Sequence, residues 1–232
     1  MSKGRGFGII APMNPVAKRT FTGLAIGAVV VAAILLLPTH VVEIAVVSLG
    51  CLVMSEYMQL ALTKRPGARG WAALCLLVGV FAIILGIIAL AEVARRHGNM
   101  MLLYIVAIVK FSDVGGFAVG TATAKMMKGG NHKMCPTISP AKSWEGMAGS
   151  VVFSCIVSCA FMPATHFPVG KALAFGLVAA VLGTAGDLLE SKFKRWRGVK
   201  DSSTMKITNG MGGFLDMFDS LVIAPAVLLA MI

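Results

Sequence analysis

The stretch Gly186–Ser220, GDLLESKFKRWRGVKDSSTMKITNGMGGFLDMFDS, decides how this chain is read. It holds five of the ten acidic residues (Asp187, Glu190, Asp201, Asp216 and Asp219) and six Lys or Arg, in a chain that is 57% hydrophobic. Apolar runs flank it on both sides. Carboxylates in or beside membrane spans are costly, at about 3 kcal/mol each on the gentler scales, and mark functional positions. Opposite charges gathered between two greasy segments therefore point to a site.

A mean hydropathy of +0.86 with only 13% charged residues excludes an ordinary soluble domain and indicates a polytopic membrane protein. At 232 residues there is no room for a sizeable soluble domain as well. The net charge of +11 sits in short loops between apolar runs. That is the pattern of membrane topology and of contact with anionic head groups, not the basic face of a nucleic-acid binder. Cys51, Cys75, Cys135, Cys155 and Cys159 form no CxxC pair and read as structural, with no disulfide framework or zinc site. The first apolar run follows Lys18-Arg19 and ends at Pro38-Thr39-His40 without an A-x-A site, so it reads as an uncleaved first helix.

Crossing the hydrocarbon takes about 17–25 apolar residues. Seven candidate helices follow: Thr20–Leu37, Val41–Leu62, Trp71–Ala91, Met100–Gly120, Met147–Met162, Val169–Leu188 and Phe214–Ile232. The expected fold is all-α, a transmembrane bundle of about seven helices. Residues 1–19 form a cytoplasmic tail, 20–120 the N-terminal transmembrane helices, and 121–232 a C-terminal catalytic region with cytoplasmic loops. With the N terminus in the cytoplasm, Lys and Arg number four in the tail, three in 63–70, four in 121–146 and six in 189–213. The 17 cytoplasmic charges stand against three outside (Arg95, Arg96 and Lys171), a strong positive-inside bias. Asp113, Asp187, Asp216 and Asp219 then fall at one depth, on three helix ends near the cytoplasmic surface.

Asp216 and Asp219 are i,i+3 and project from one helix face, and Asp187 and Glu190 repeat the spacing. Hard oxygen ligands on separate helices suit Mg²⁺, which keeps waters and takes substrate phosphates as its remaining ligands. Simple ion pairing is the competing account for Glu190, with Lys194 at i,i+4, and for Asp113, with Lys110 at i,i+3. Asp216 and Asp219 have no base within a helical turn. Phosphate with metal needs both signs of charge, which gives Lys194, Arg195 and Lys200 a task beyond topology; Arg197 and Lys192 read as topology determinants. Gly210, Gly212 and Gly213 leave backbone N–H groups at a helix N terminus, a setting that favours an anion. In ISPAKSWEG, Ile138–Gly146, Ser139-Pro140 reads as an extended turn, Ser143 as a helix entry, Lys142 as a phosphate ligand and Trp144 as an interfacial anchor.

Together these motifs resemble the phosphatidate cytidylyltransferase (CDP-diacylglycerol synthase) family of membrane enzymes. GDLLESKFKRWRGVKDSS, Gly186–Ser203, is similar to that family's G-D-L-x-E-S-x-x-K-R-x-x-x-x-K-D-S segment. GMGGFLDMFDS, Gly210–Ser220, resembles G-H-G-G-x-x-D-R-x-D-S, and PTISPAKSWEG, Pro136–Gly146, resembles P-x-I-S-P-K-K-T-x-E-G. Asp113 and Gly120 fall where a preceding D-x-x-A-Y-x-x-G would place them. Weaker agreement extends to Lys18-Arg19-Thr20 and Glu56-Tyr57. The chain departs from the pattern at Met211, where the family has His, at Met217, where it has Arg between the aspartates, and at Thr121 and Ala124.

The resemblance implies transfer of CMP from CTP to phosphatidate, giving CDP-diacylglycerol and pyrophosphate for phospholipid synthesis. It implies catalytic roles for Asp187, Lys194, Arg195, Lys200 and Asp201. Substrate contacts would come from Ser139, Lys142, Glu145, Ser191, Gly212 and Gly213. Asp187, Asp216 and Asp219 would hold Mg²⁺, with room for a second cation. It further implies a homodimer, in a bacterial inner membrane with the site facing the cytoplasm. Two alternatives stay open: a CTP-dependent polyprenol kinase, which would release CDP, and a degenerate relative that keeps only an ion site.

Overall fold

The computed structural model describes residues 15–62, 69–199 and 213–232. Among these residues eight helices follow one another: α1 (Pro15–Leu36), α2 (Thr39–Leu62), α3 (Arg69–Met126), α4 (Trp144–Ala160), α5 (Met162–Thr165), α6 (Val169–Arg197), α7 (Phe214–Phe218) and α8 (Ala224–Met231). Between α3 and α4 lies an antiparallel hairpin of β1 (Lys133–Cys135) and β2 (Ser139–Ser143). Among the described residues, four segments are long and apolar enough to cross a bilayer: Thr39–Leu62, Leu76–Met126, Val169–Arg197 and Phe214–Met231. Thr22–Leu36 and Trp144–Ala160 are apolar but shorter. The protein is thus a helical integral membrane protein.

Its surface confirms the solvent it is made for. Large apolar side chains face outward, among them Leu36 at 80% and Phe117 at 77% exposure, while Ser112, Ser154, Ser158 and Ser220 are buried. Helices lying in hydrocarbon gain little by hiding apolar groups, so they join through small residues and hydrogen bonds. Ser154 Oγ donates to the Ile108 carbonyl (3.0 Å), and Ser158 Oγ to that of Ala172 (2.6 Å), with the Tyr104 hydroxyl 2.7 Å away. These bonds lock α4 between α3 and α6. Tyr104 also packs against Phe161, Phe167 and Phe175.

Four features depart from the sequence reading, the fourth being the break in the last apolar run. First, Arg95 and Arg96 do not lie in a loop. They belong to α3, which runs on to a break at Gly98 (φ 81°, ψ 171°), a conformation that side-chain-bearing residues avoid. Glu92 bonds to both arginines (2.8 Å to Arg95), so one of the pair's two positive charges is offset within its own turn. Asn99 Nδ2 then fastens the break to the Leu37 carbonyl (2.9 Å) at the α1–α2 corner. Second, Ser139–Ser143 is a strand of the hairpin rather than a turn. Ser143 does open α4, its Oγ accepting from the Gly146 amide (3.1 Å) and from Asn131 Nδ2 (2.9 Å). Third, α6 continues nine residues past Leu188 to Arg197, ending where Gly198 takes φ 71°. Glu190, Ser191, Lys194 and Arg195 therefore stand on a helix.

The last apolar run is itself broken. After α7, a 3-10 turn (Asp219–Leu221) intervenes, and α8 begins with Pro225 near its N terminus. Proline has no N–H with which to continue the ladder. The backbone of this turn is gripped between two glycines: a Cβ on Gly86 of α3 would stand 2.5 Å from the Val222 carbonyl oxygen, and one on Gly186 of α6 2.6 Å from that of Asp219. Gly183, one turn earlier on α6, has no such contact, its nearest neighbours being 3.7 Å away.

The contrast gives a paired test. Gly186→Ala should destabilise by about 1–3 kcal/mol through overpacking against backbone. Gly183→Ala should be neutral or stabilising, since alanine is the better helix former by about 1 kcal/mol. Thermal unfolding in detergent should separate them, and equal midpoints would show that the turn is not held as described.

Candidate active site

The broken turn, the middle of α6, the second arm of α3 and β2 bring the chain's acids and lysines together. Asp187 on α6 accepts from Lys142 Nζ of β2 at 2.6 Å; the same ammonium lies 3.4 Å from the Thr184 carbonyl. One helical turn beyond, Glu190 accepts from Lys194 Nζ (2.8 Å), which also reaches Asp216 of α7 (2.6 Å). The other Asp216 oxygen accepts from the Gly213 amide (3.0 Å), which caps α7. Lys110, on α3, donates to the Met217 carbonyl and to Ser220 Oγ, both at 2.8 Å, and lies 3.4 Å from Asp113. Ser220 Oγ donates on to Asp113 (2.9 Å). Asp219 faces the carboxyl group of Asp187.

A cavity of about 240 Å³ opens beside these groups. Asp113, Ser139, Lys142, Ser143, Ser150, Thr184 and Asp187 supply its polar wall, and Phe117, Met134 and Met147 part of the apolar one. Asp187 Oδ1 and Glu190 Oε1 are buried and have no hydrogen-bond partner among the described residues. A buried carboxylate oxygen without a partner is costly, so each is an open valence for a donor or a cation.

Of the residues named from sequence, Ser139, Lys142 and Asp187 meet in one cavity. Lys194 joins Glu190 to Asp216, so the ion pairing considered for Glu190 is real, as is that of Asp113 with Lys110. Ser191 is half-buried on α6. Arg195 is exposed and turns to the Val199 carbonyl at its own helix end (3.4 Å), away from the cluster. Glu145 lies outside the cavity wall and ties the hairpin to α4: it accepts from the His132 amide (3.1 Å), and its Oε1 lies 2.6 Å from His132 Nδ1. Those bonds hold its carboxyl down at about 2. Lys200, Asp201 and Gly212 lie outside the described residues, as does Met211. Among the described residues no three His, Cys, Asp or Glu converge in ligating geometry. The carboxylates divide instead into an Asp187–Asp219 group and a Glu190–Asp216 pair bridged by Lys194.

Two residues that the sequence named contribute in ways it did not show. Lys110 was visible only as a partner for Asp113, because its contacts to Met217 and Ser220 span more than a hundred residues. Glu56, buried on α2, accepts from the Leu215 amide at the start of α7 (2.9 Å). The sequence carried it only as part of the Glu56-Tyr57 agreement with the family pattern, a carboxylate near the end of an apolar run. Arg197, read as a topology determinant, also closes the end of α2 by donating to the Leu60 (3.0 Å) and Ala61 (2.7 Å) carbonyls.

The Lys194 side chain is 12% exposed, and its partners Glu190 and Asp216 7% and 14%. Removing one member of so buried a set should cost about 3–5 kcal/mol. Lys194→Met should therefore lower the unfolding midpoint sharply, and adding Glu190→Gln should restore part of the loss. A Lys194→Met protein as stable as wild type would remove the bridge from the account of the site.

A sequence model described as the cytidylyltransferase family matches residues 62–232. The phosphatidate cytidylyltransferase of Staphylococcus aureus (strain COL) is 36% identical over 195 residues, covering 82% of this chain and 71% of that protein. The phosphatidate cytidylyltransferase of Mycobacterium tuberculosis (strain ATCC 25618 / H37Rv) is 43% identical over 131 residues, covering 55% of this chain and 37% of its own.

Proposed function

The chain belongs to the cytidylyltransferase family and is a nucleotidyltransferase, and from that premise we propose that it transfers CMP from CTP to phosphatidate, forming CDP-diacylglycerol and releasing pyrophosphate. The observation that carries this reading is the placing of Lys142 on Asp187 in the wall of a cavity that also holds Asp113 and Ser139, with the Lys194 bridge one helical turn beyond, within a bundle otherwise made for lipid. An oxygen of the phosphatidate phosphate attacks the α-phosphorus of CTP. The new P–O bond forms as the bond to the bridging α–β oxygen breaks, and pyrophosphate leaves with that electron pair. The attacking oxygen is already anionic at neutral pH, so no strong general base is required. What the site must supply is charge neutralisation and in-line placement.

Lys142, in the cavity wall, is the cation that would meet phosphate oxygens, exchanging its aspartate for the substrate, and Lys194 would follow by releasing Asp216. Ser139, on the cavity wall, offers a hydroxyl to the nucleotide side. The donor set also fits a divalent cation: Asp187 keeps a buried oxygen without a partner, and Asp219 stands opposite it. Asp187 and Asp219 would hold Mg²⁺, with Asp216 joining if it yields its Lys194 contact, and a second cation is compatible with the number of acids. Bound there, the metal would offset charge on the α-phosphate and the leaving pyrophosphate. The charge bias of 17 against three supports a cytoplasmic N terminus and a site open to cytoplasmic CTP, and the bacterial relatives support a bacterial inner membrane, crossed by about seven spans on the apolar-run reading.

Purified protein in mixed micelles with CTP, phosphatidate and Mg²⁺ should release pyrophosphate only when lipid is present. Asp219→Asn should lower turnover by roughly 100-fold or more, the scale of losing a main electrostatic contributor. Normal turnover of Asp219→Asn in saturating Mg²⁺ would overturn the metal assignment. Release of CDP with a polyprenol acceptor, in place of pyrophosphate with phosphatidate, would overturn the reaction.

A further inference from the structure

A second cavity, of about 140 Å³, lies on the other side of the broken turn, between α1, α2, α3 and the C-terminal segment. Every residue that lines it is apolar. Its wall includes Phe218 and Leu221, while Asp219 and Ser220, the two residues between them, belong to the charged cluster. One short turn thus separates the phosphate-handling cluster from a purely apolar space.

The shape of that space follows from its lining. Along α2 it runs from Val42 to Val53, which at about 1.5 Å per residue is ~16 Å. Val53 marks the end near the site, since Glu56, less than one turn further on, takes the Leu215 amide. The far end reaches Leu37 at the α1–α2 corner. In volume the cavity matches the ~150 Å³ apolar space that accepts a benzene-sized group, yet it is drawn out over three turns of helix. A narrow apolar slot suits a hydrocarbon chain better than a compact ligand.

We propose that this slot holds part of one acyl chain of the lipid acceptor, with the Phe218–Leu221 turn dividing head group from tail. The proposal rests on the reading of the acceptor as a diacyl lipid phosphate. A phosphate at the depth of Asp219 sends its tails into the bilayer along α2, the direction in which the slot extends. An acyl chain entering from hydrocarbon gains nothing from leaving water. Its selection rests on fit alone, so filling the slot should act by exclusion.

Ala33→Phe and Ala45→Phe narrow the slot from α1 and α2 respectively. Each full-length variant is to be assayed in mixed micelles with dioleoyl and with dihexanoyl phosphatidate. Expected is a loss of about tenfold in kcat/KM for dioleoyl phosphatidate, the consequence of a modest steric penalty. The short-chain lipid and the KM for CTP should be unaffected, which also reports that the variants are folded. An equal loss on both lipids in both variants, or no loss on either, overturns the proposal. Retention of dioleoyl phosphatidate by native mass spectrometry, without CTP or metal, separates it from the reaction beneath it. Wild type that retains the lipid but never turns it over, with Ala33→Phe retaining less, sinks the reaction and leaves the slot standing. Equal retention by both, or equal retention of dioleoyl phosphatidylcholine and phosphatidate by wild type, marks a structural lipid and overturns the slot's role.

Discussion

A helix that breaks inside an apolar bundle must find partners for the backbone groups it frees, because no water is there to take them. The turn from Phe214 to Pro225 meets that demand with charge. At its start the Glu56 carboxylate accepts from the Leu215 amide, where a helix N terminus favours a negative group. In its middle the Lys110 ammonium donates to the Met217 carbonyl. Gly86 and Gly186 let α3 and α6 close on the turn to distances no Cβ would permit. The same break sets Asp216 and Asp219 toward α6 rather than along a continuous helix face. Structural satisfaction and functional placement are here one arrangement. Where the family pattern has an arginine, Met217 offers only its carbonyl, and the cation at this turn arrives from α3.

Lysine is well suited to that arrangement. Its ammonium is a compact charge on a long flexible stem, so it spans gaps between elements and changes partner without moving backbone. Lys110, Lys142 and Lys194 come from α3, β2 and α6, and each ends on a carboxylate. Arg195 and Arg197, neighbours of Lys194, instead meet backbone carbonyls at helix ends. A planar fork of donors fits a fixed carbonyl array; a point charge fits a site whose anions are to be exchanged.

How far the sequence could be read follows from the range of each interaction. The apolar runs and the clustering of basic loops depend on local composition, and each run is helical, though the two runs of α3 join across the Gly98 break and the last run is interrupted at Asp219–Leu221. The ion pairs at i,i+3 and i,i+4, Lys110–Asp113 and Glu190–Lys194, were visible because helix geometry makes such residues neighbours. The bridges to Asp216 and Asp187 were not, since Lys194 and Lys142 lie 22 and 45 residues away along the chain. That distance is also why Asp216 looked baseless. The hairpin escaped notice because Pro140 and a short polar strand give no alternation for a sheet to display. The extension of α6 escaped because hydropathy marks where a helix leaves the membrane, not where it ends.

Among the described residues, the charges around the cluster do not cancel. Asp113, Asp187, Glu190, Asp216 and Asp219 face three ammonium groups, those of Lys110, Lys142 and Lys194. With every group ionised, two negative charges are left over in a region of low dielectric, where an unbalanced charge is expensive. Either protons settle on two of the carboxylates or one divalent cation balances them. The second course leaves the lysines available, because Mg²⁺ at Asp187 and Asp219 would weaken the hold of those acids on Lys142. The ammonium would then be drawn to the next anion to enter the cavity. On the proposed reading the lysine–aspartate pairs would be stand-ins, keeping the buried acids neutralised where a metal ion and a nucleotide phosphate would otherwise do so.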